Sequence, residues 1–147
     1  MQYREFNIQK YAFQHDFGAG GEVYSVKGPK GKKGTLLNYG VYGITETFSA
    51  TVTAGMVAVG NGTDPDAYGE ELSLGTSAAD TVGEVSIDTL YRYDQVGGGA
   101  GVTDRDDYIL NGGEIPADTV VYLTCTAPTN GSETGIATAF MEILWAN

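Results

Sequence analysis

Two stretches near the end of the chain decide the fold: Val120-Val121-Tyr122-Leu123-Thr124-Cys125-Thr126, and Gly135-Ile136-Ala137-Thr138-Ala139-Phe140-Met141-Glu142-Ile143-Leu144-Trp145. In the first, Val121, Leu123 and Cys125 alternate with Tyr122, Thr124 and Thr126. In the second, Ala137, Ala139, Met141, Ile143 and Trp145 alternate with Thr138, Phe140, Glu142 and Leu144. A period of two puts every second side chain on one face of a pleated strand. Pro128-Thr129-Asn130-Gly131 supplies the turn between them, and Ile115-Pro116-Ala117-Asp118-Thr119 leads into the first.

The same signal extends outward. Thr35–Ser49 reads as a long strand or pair of strands, with Gly40 and Gly43 marking a bend or a close backbone approach. Glu22–Val26 and Thr51–Val59 read as strands. Val85, Ile87, Thr89, Tyr91 and Tyr93 predict another, and Asp107–Asn111 a short one. Phe6 and Ile8 alternate in one register and Tyr11, Phe13 and His15 in the other, which predicts a bulge near Gln9–Lys10. Between these lie Gly18–Gly21, the proline-punctuated and flexible Lys27–Gly34, the turn-rich Gly60–Glu71, a single helical turn at Ser77–Val82, and the Gly97–Gly101 loop. About eight strands at spacings of roughly 8–15 residues predict an all-β chain: an antiparallel, jelly-roll-like β-sandwich. No segment of helical length has a 3.6 period, which excludes a βαβ parallel sheet. The 147 residues suit a single domain over 1–147, with residues 1–10 as a candidate N-terminal arm.

Composition narrows the function. The 22 glycines argue against a helical bundle. No stretch of about 18 apolar residues is available to span a membrane as a helix. A single cysteine and a single histidine leave no internal disulfide and nearly no His/Cys metal cage. MQYREFNIQK has no apolar h-region, so synthesis in a host cytoplasm is expected.

The catalytic constellations are missing. His15 reads as a partly buried strand histidine and Cys125 as a small core hydrophobe, since neither has the partners a nucleophile needs. No Gly-x-Ser-x-Gly elbow occurs, and Gly97–Val102 and Gly28–Lys33 fail as phosphate loops. Asp64-Pro65-Asp66-Ala67-Tyr68-Gly69 starts like a calcium loop, but Tyr68 and Gly75 stand where oxygen ligands belong. Asp104, Asp106 and Asp107 form a second acidic cluster. No enzyme, no cofactor and no metal site is expected.

Charge is unevenly spread. Residues 1–33 hold six lysines and arginines against three acids, net +3. Residues 34–147 hold two arginines against sixteen acids, net −14. The acidic bulk repels nucleic acid and anionic membranes. The basic quarter, with Tyr3, Arg4, Phe6, Lys10, Lys27, Lys30, Lys32 and Lys33, is the expected contact with an acidic partner. The plainer reading is that Lys30, Lys32 and Lys33 only solubilise a loop tip.

The chain resembles the small all-β decoration, or cement, proteins of tailed-bacteriophage capsids. The resemblance rests on Tyr11-Ala12-Phe13-Gln14-His15-Asp16-Phe17 running into Gly18–Gly21, on the Thr-rich Thr45–Val59, on Ile115–Leu123 and on Gly135–Trp145. It covers most of the chain in style without a diagnostic motif. It implies a non-enzymatic, jelly-roll-like protein of the virion surface that binds the major capsid protein and stabilises its lattice. It also implies frequent trimers. The 15 Phe and Tyr residues plus Trp145 are more aromatics than one sandwich core readily holds, which independently suggests a homo-oligomer, a homotrimer above all. The rival reading is a carbohydrate-binding β-sandwich of a head fibre or tail-associated protein, its tyrosines stacking on sugars. A hydrolase on a β scaffold comes third.

Overall fold

The computed structural model describes residues 7–49, 53–75, 83–89, 105–129 and 134–147. They form nine strands: β1 Asn7–Asp16, β2 Glu22–Lys27, β3 Lys33–Ser49, β4 Met56–Gly60, β5 Gly69–Ser73, β6 Val85–Ser86, β7 Glu114–Ile115, β8 Val120–Thr126 and β9 Thr134–Ala146. One sheet runs β1-β9-β3-β6, with β7 also on β3; the other runs β2-β8-β4-β5. The pairs β1–β9, β2–β8, β3–β6 and β4–β5 nest like one long antiparallel hairpin. The cross-pairs β3–β9 and β4–β8 roll that ribbon into two layers. This is the jelly roll, eight strands plus the two-residue β7.

The alternation in β8 and β9 sets the core. Val121, Leu123 and Cys125 from β8 face Ala137, Ala139, Met141, Ile143 and Trp145 from β9, all buried. Leu36, Tyr39 and Val41 of β3 and Val57 and Val59 of β4 complete the layer. β9 is the middle of its sheet, flanked by β1 and β3, and its inner face accordingly has no polar residue.

Gly40 and Gly43 carry out the close approach and bend expected of them. A Cβ on Gly40 would lie 2.1 Å from the Val85 carbonyl oxygen, so only glycine admits β6 there. Both have positive φ, +153° and +58°.

Several expectations of the strand pattern are corrected: the strand expected at Thr51–Val59 runs from Met56, and β5 begins inside the loop expected at Gly60–Glu71. β1 has no bulge at Gln9–Lys10: its pairing runs unbroken from Asn7 opposite Trp145 to Asp16 opposite Ile136. Ile8 is simply an exposed apolar residue on the outer face, 61% accessible, so the strand has one register. Of the candidate arm over residues 1–10, residues 7–10 are therefore the start of β1. The strand expected from Val85 stops after Ser86, and residues 87–89 are helical. There Ser86 N–H donates to Thr89 Oγ1 (2.8 Å) and Thr89 N–H to Ser86 Oγ (3.3 Å), a reciprocal cap that begins a helix. The strand expected at Asp107–Asn111 is instead a helical turn, Arg105–Tyr108, followed by a tight turn in which Asn111 and Gly112 are left-handed. Only Ile109 keeps a β contact, an isolated bridge to Gly69. The helical turn expected at Ser77–Val82, the Gly97–Gly101 loop and Tyr91–Tyr93 lie outside the described residues. No helix among the described residues is long and apolar enough to cross a membrane.

Candidate interaction surface

The basic loop is built on Trp145. The indole is 1% exposed, and a Cβ at Gly28 would sit 2.5 Å from its outer ring and one at Gly34 2.7 Å from it. Two glycines thus let the backbone leaving β2 and the backbone entering β3 close on the ring. Trp145 Nε1 donates to the Tyr11 hydroxyl at 2.9 Å, fixing the ring from β1, and Tyr11 in turn donates to Gln9. Above this base the turn is tied twice. Lys32 N–H donates to the Pro29 carbonyl (3.1 Å), and Gly31 N–H donates to Asp118 Oδ1 (2.8 Å). Gly31 and Asp118 are both left-handed, at φ +74° and +59°. Aspartate is among the few residues that visit this region readily. The loop expected to be flexible is therefore a short turn, 28–32, held at both ends and at its tip.

The lysines ring this end of the sandwich. Lys30 is exposed at the turn. Lys33, opposite Ala146, lies on the outer face of the β1-β9-β3 sheet; Lys27, opposite Val120, lies on the outer face of the other sheet. Lys32 is half-buried in the turn and engaged. Lys10 stands apart, in the middle of β1 on the same outer face as Lys33. Its Nζ lies 4.0 Å from Glu142 Oε1 and over the Tyr42 and Phe140 rings, 4.1 and 4.4 Å from their centroids. Cation–π contact of this kind holds the ammonium while leaving it wet. Tyr3, Arg4 and Phe6 lie outside the described residues.

Sequence reasoning missed what surrounds the lysines. Ile8 pairs with Leu144 and Leu144 with Thr35, so an apolar strip lies between Lys10 and Lys33 on that face. Beside it, Lys33, Gly34, Thr35, Glu114, Ile115 and Pro116 line a concavity of about 370 Å³. The signal was present in Ile8, an apolar residue out of phase with Tyr11 and Phe13.

The residues weighed for chemistry are structurally engaged. His15 is buried on the inner face of β1; Nε2 donates to the Gly20 carbonyl (2.8 Å), and Nδ1 meets the Tyr24 hydroxyl at 3.0 Å. A carbonyl can only accept, so Nε2 carries a proton toward Gly20, and the Tyr24 hydroxyl lies between His15 Nδ1 and the Gln14 carbonyl, 3.5 Å away. Cys125 is buried, and burial followed by the Glu22 charge pushes its thiol up to about 12, far from thiolate chemistry at neutral pH. In the acidic loop, Asn61 Oδ1 accepts from Thr63 N–H, Thr63 O–H and Asp64 N–H, closing an Asx turn. Asp66 is raised first by a hydrogen bond to Asp64, then by burial and by Glu70. Among the described residues no three His, Cys, Asp or Glu gather as metal ligands would.

Several tyrosines are likewise occupied. Tyr39 is fully buried and donates to the Glu70 carbonyl at 2.5 Å; Tyr24 stacks on Phe13 at 4.5 Å, and Tyr42 packs edge-on against Phe140. No described tyrosine presents a fully exposed ring. Comparison with protein-family models, with curated proteins and with solved structures finds no match to this chain.

Proposed function

We propose that the chain is a structural protein that binds the outer surface of a viral capsid and stabilises its lattice, without catalysing a reaction. The observation that carries this reading is the collar of lysines around a turn anchored on Trp145, at one end of an otherwise acidic jelly roll. Complementary potentials orient and speed docking, while exposed ion pairs add only about 0.2–1 kcal/mol each. Holding energy then falls to apolar contacts, and the Ile8–Leu144–Thr35 strip beside Lys33 supplies them. A specific contact needs about 1,600 Å² in total. Many copies on one shell make rupture cooperative, since each must be peeled from a lattice already bound. Residence on the virion surface after synthesis in the host cytoplasm follows from this reading. The engaged rings of Tyr11, Tyr24, Tyr39 and Tyr42 favour it over a sugar-binding module, which would display such rings.

The test is co-sedimentation with expanded shells of the major capsid protein encoded with this chain. The proposal expects saturation at a fixed ratio to lattice sites. Replacing Lys30, Lys32 and Lys33 by Ser should slow association and flatten its salt dependence with the fold retained. No co-sedimentation at any salt concentration, or binding to a glycan array instead, overturns the proposal.

A further inference from the structure

We propose, resting on the capsid-binding reading, that the concavity beside Lys33 is the specificity pocket of the docking face. It takes an extended segment of the partner protein that carries an acidic and a basic side chain two residues apart. The antiparallel register of β3 and β7 builds the pocket. Gly34 lies opposite Ile115 and Thr35 opposite Glu114. Gly34 and Ile115 are buried, so the alternation turns Lys33, Thr35, Glu114 and Pro116 outward. Pro116 follows in the register opposite Lys33. It has no N–H to continue the ladder, and the pairing stops there. These residues line a space of about 370 Å³, inside the roughly 300–1,000 Å³ usual for ligand sites.

The two charges of the pocket are opposite, exposed and not joined. Lys33 and Glu114 are diagonal neighbours, and such positions on adjacent strands are about 7–8 Å apart, within reach of long side chains. They form no ion pair; the one among the described residues joins Lys10 to Glu142. The nearby Asp118 already accepts from Gly31 N–H, and Lys32 is engaged. The Lys33 ammonium and the Glu114 carboxylate are therefore both open to a ligand. A ligand with one sign of charge is repelled by one wall of the pocket. A ligand with both, held at the same separation, satisfies both walls. In an extended segment residues i and i+2 point the same way about 6.8 Å apart, which matches the diagonal. An acid-x-base segment thus sets its carboxylate on Lys33 and its cation on Glu114. The adjoining Thr35–Leu144–Ile8 strip receives a neighbouring apolar side chain. Lys27 and Lys30 attract any acidic surface, whereas Glu114 rejects those that are acidic alone.

Glu114→Lys separates the pocket from attraction by the lysines. The substitution adds positive charge to the collar, so binding set by the collar alone would tighten. The pocket requires the reverse: affinity for expanded capsid shells should fall tenfold or more in co-sedimentation, with melting curves confirming the fold. A second arm needs no capsid. Amide chemical shifts are followed while terminally blocked Leu-Asp-Ala-Lys is added to millimolar concentration. Lys33, Thr35 and Glu114 should shift, and blocked Leu-Asp-Ala-Asp and Leu-Lys-Ala-Lys should leave them in place. Shells that do not bind the native protein refute the capsid reading, and the peptide arm then decides the pocket. Equal or tighter shell binding by Glu114→Lys, no shift with the mixed-charge peptide, or equal shifts with either single-charge peptide overturns the proposal.

Discussion

Gly28→Ala tests whether the basic turn is built on Trp145. The added Cβ would lie 2.5 to 2.6 Å from three atoms of the indole, closer than side-chain carbons pack. The ring has little freedom to yield. It is buried, its Nε1 is bonded to Tyr11, and Gly34 presses on the same outer ring. Relief must come from moving the turn, and overpacking of this sort costs about 1–3 kcal/mol. For a domain near this size each kcal/mol shifts Tm by about 2–4 °C, so calorimetry should show a fall of roughly 3–10 °C. A double-mutant cycle isolates the contact. Trp145→Phe removes the outer ring atoms that Gly28 touches, so Gly28→Ala should cost at least about 1 kcal/mol less in that background than in the native one. Additive effects, or a Gly28→Ala protein that melts with the native one, would refute the claim that the indole sets the height of the turn.

Two further outcomes follow from buried polar groups. Cys125 and Tyr39 are both raised by burial. Their protonated forms are the folded ones, so the contribution of Cys125 is full below its unfolded pKa near 9 and is lost as pH rises toward 12, while that of Tyr39 is full below about 10 and is lost only at higher pH. Urea midpoints should hold steady to about pH 9 and fall above it, with a shallower fall in Cys125→Ala. His15→Ala should cost about 1–3 kcal/mol in urea melts, because it removes the partner of the Gly20 carbonyl and one of the two partners of the Tyr24 hydroxyl at the β1–β2 corner.

The parts of the fold legible in the sequence are those where one face is buried and the other wet. β8, β9 and β3 declared themselves because burial enforces alternation. Ile8 misled because alternation assumes that apolar means inward, and this residue is turned to solvent. The segment after Val85 misled because Val85, Ile87 and Thr89 satisfy a period of two even though Ser86 and Thr89 bond to each other's backbone; the Ser-x-x-Thr spacing was the competing local signal. Strand partners were beyond local reading, since Asn7 meets Trp145 across nearly the whole chain. The same holds for the surface. Clustering of Lys27–Lys33 was written in their proximity along the chain. The split of Lys27 and Lys33 onto opposite faces, and the isolation of Lys10 over Phe140, came only with the pairing.

The position of β9 has a consequence for biogenesis. It is the last strand in chain order, yet it is the one to which β1 and β3 are both joined. While a ribosome is still making residues before Thr134, β1 has no partner among the described strands of its own sheet. The inner faces of β1 and β3, with Phe13, Tyr39 and Val41, wait uncovered. Such contact order places folding in the millisecond-to-second range and after β9 has been made. The nascent chain is then at its most adhesive while its own closing strand is missing. Low temperature during expression, which slows synthesis and aggregation together, should raise the yield of native protein more for this chain than for a helical protein of equal length.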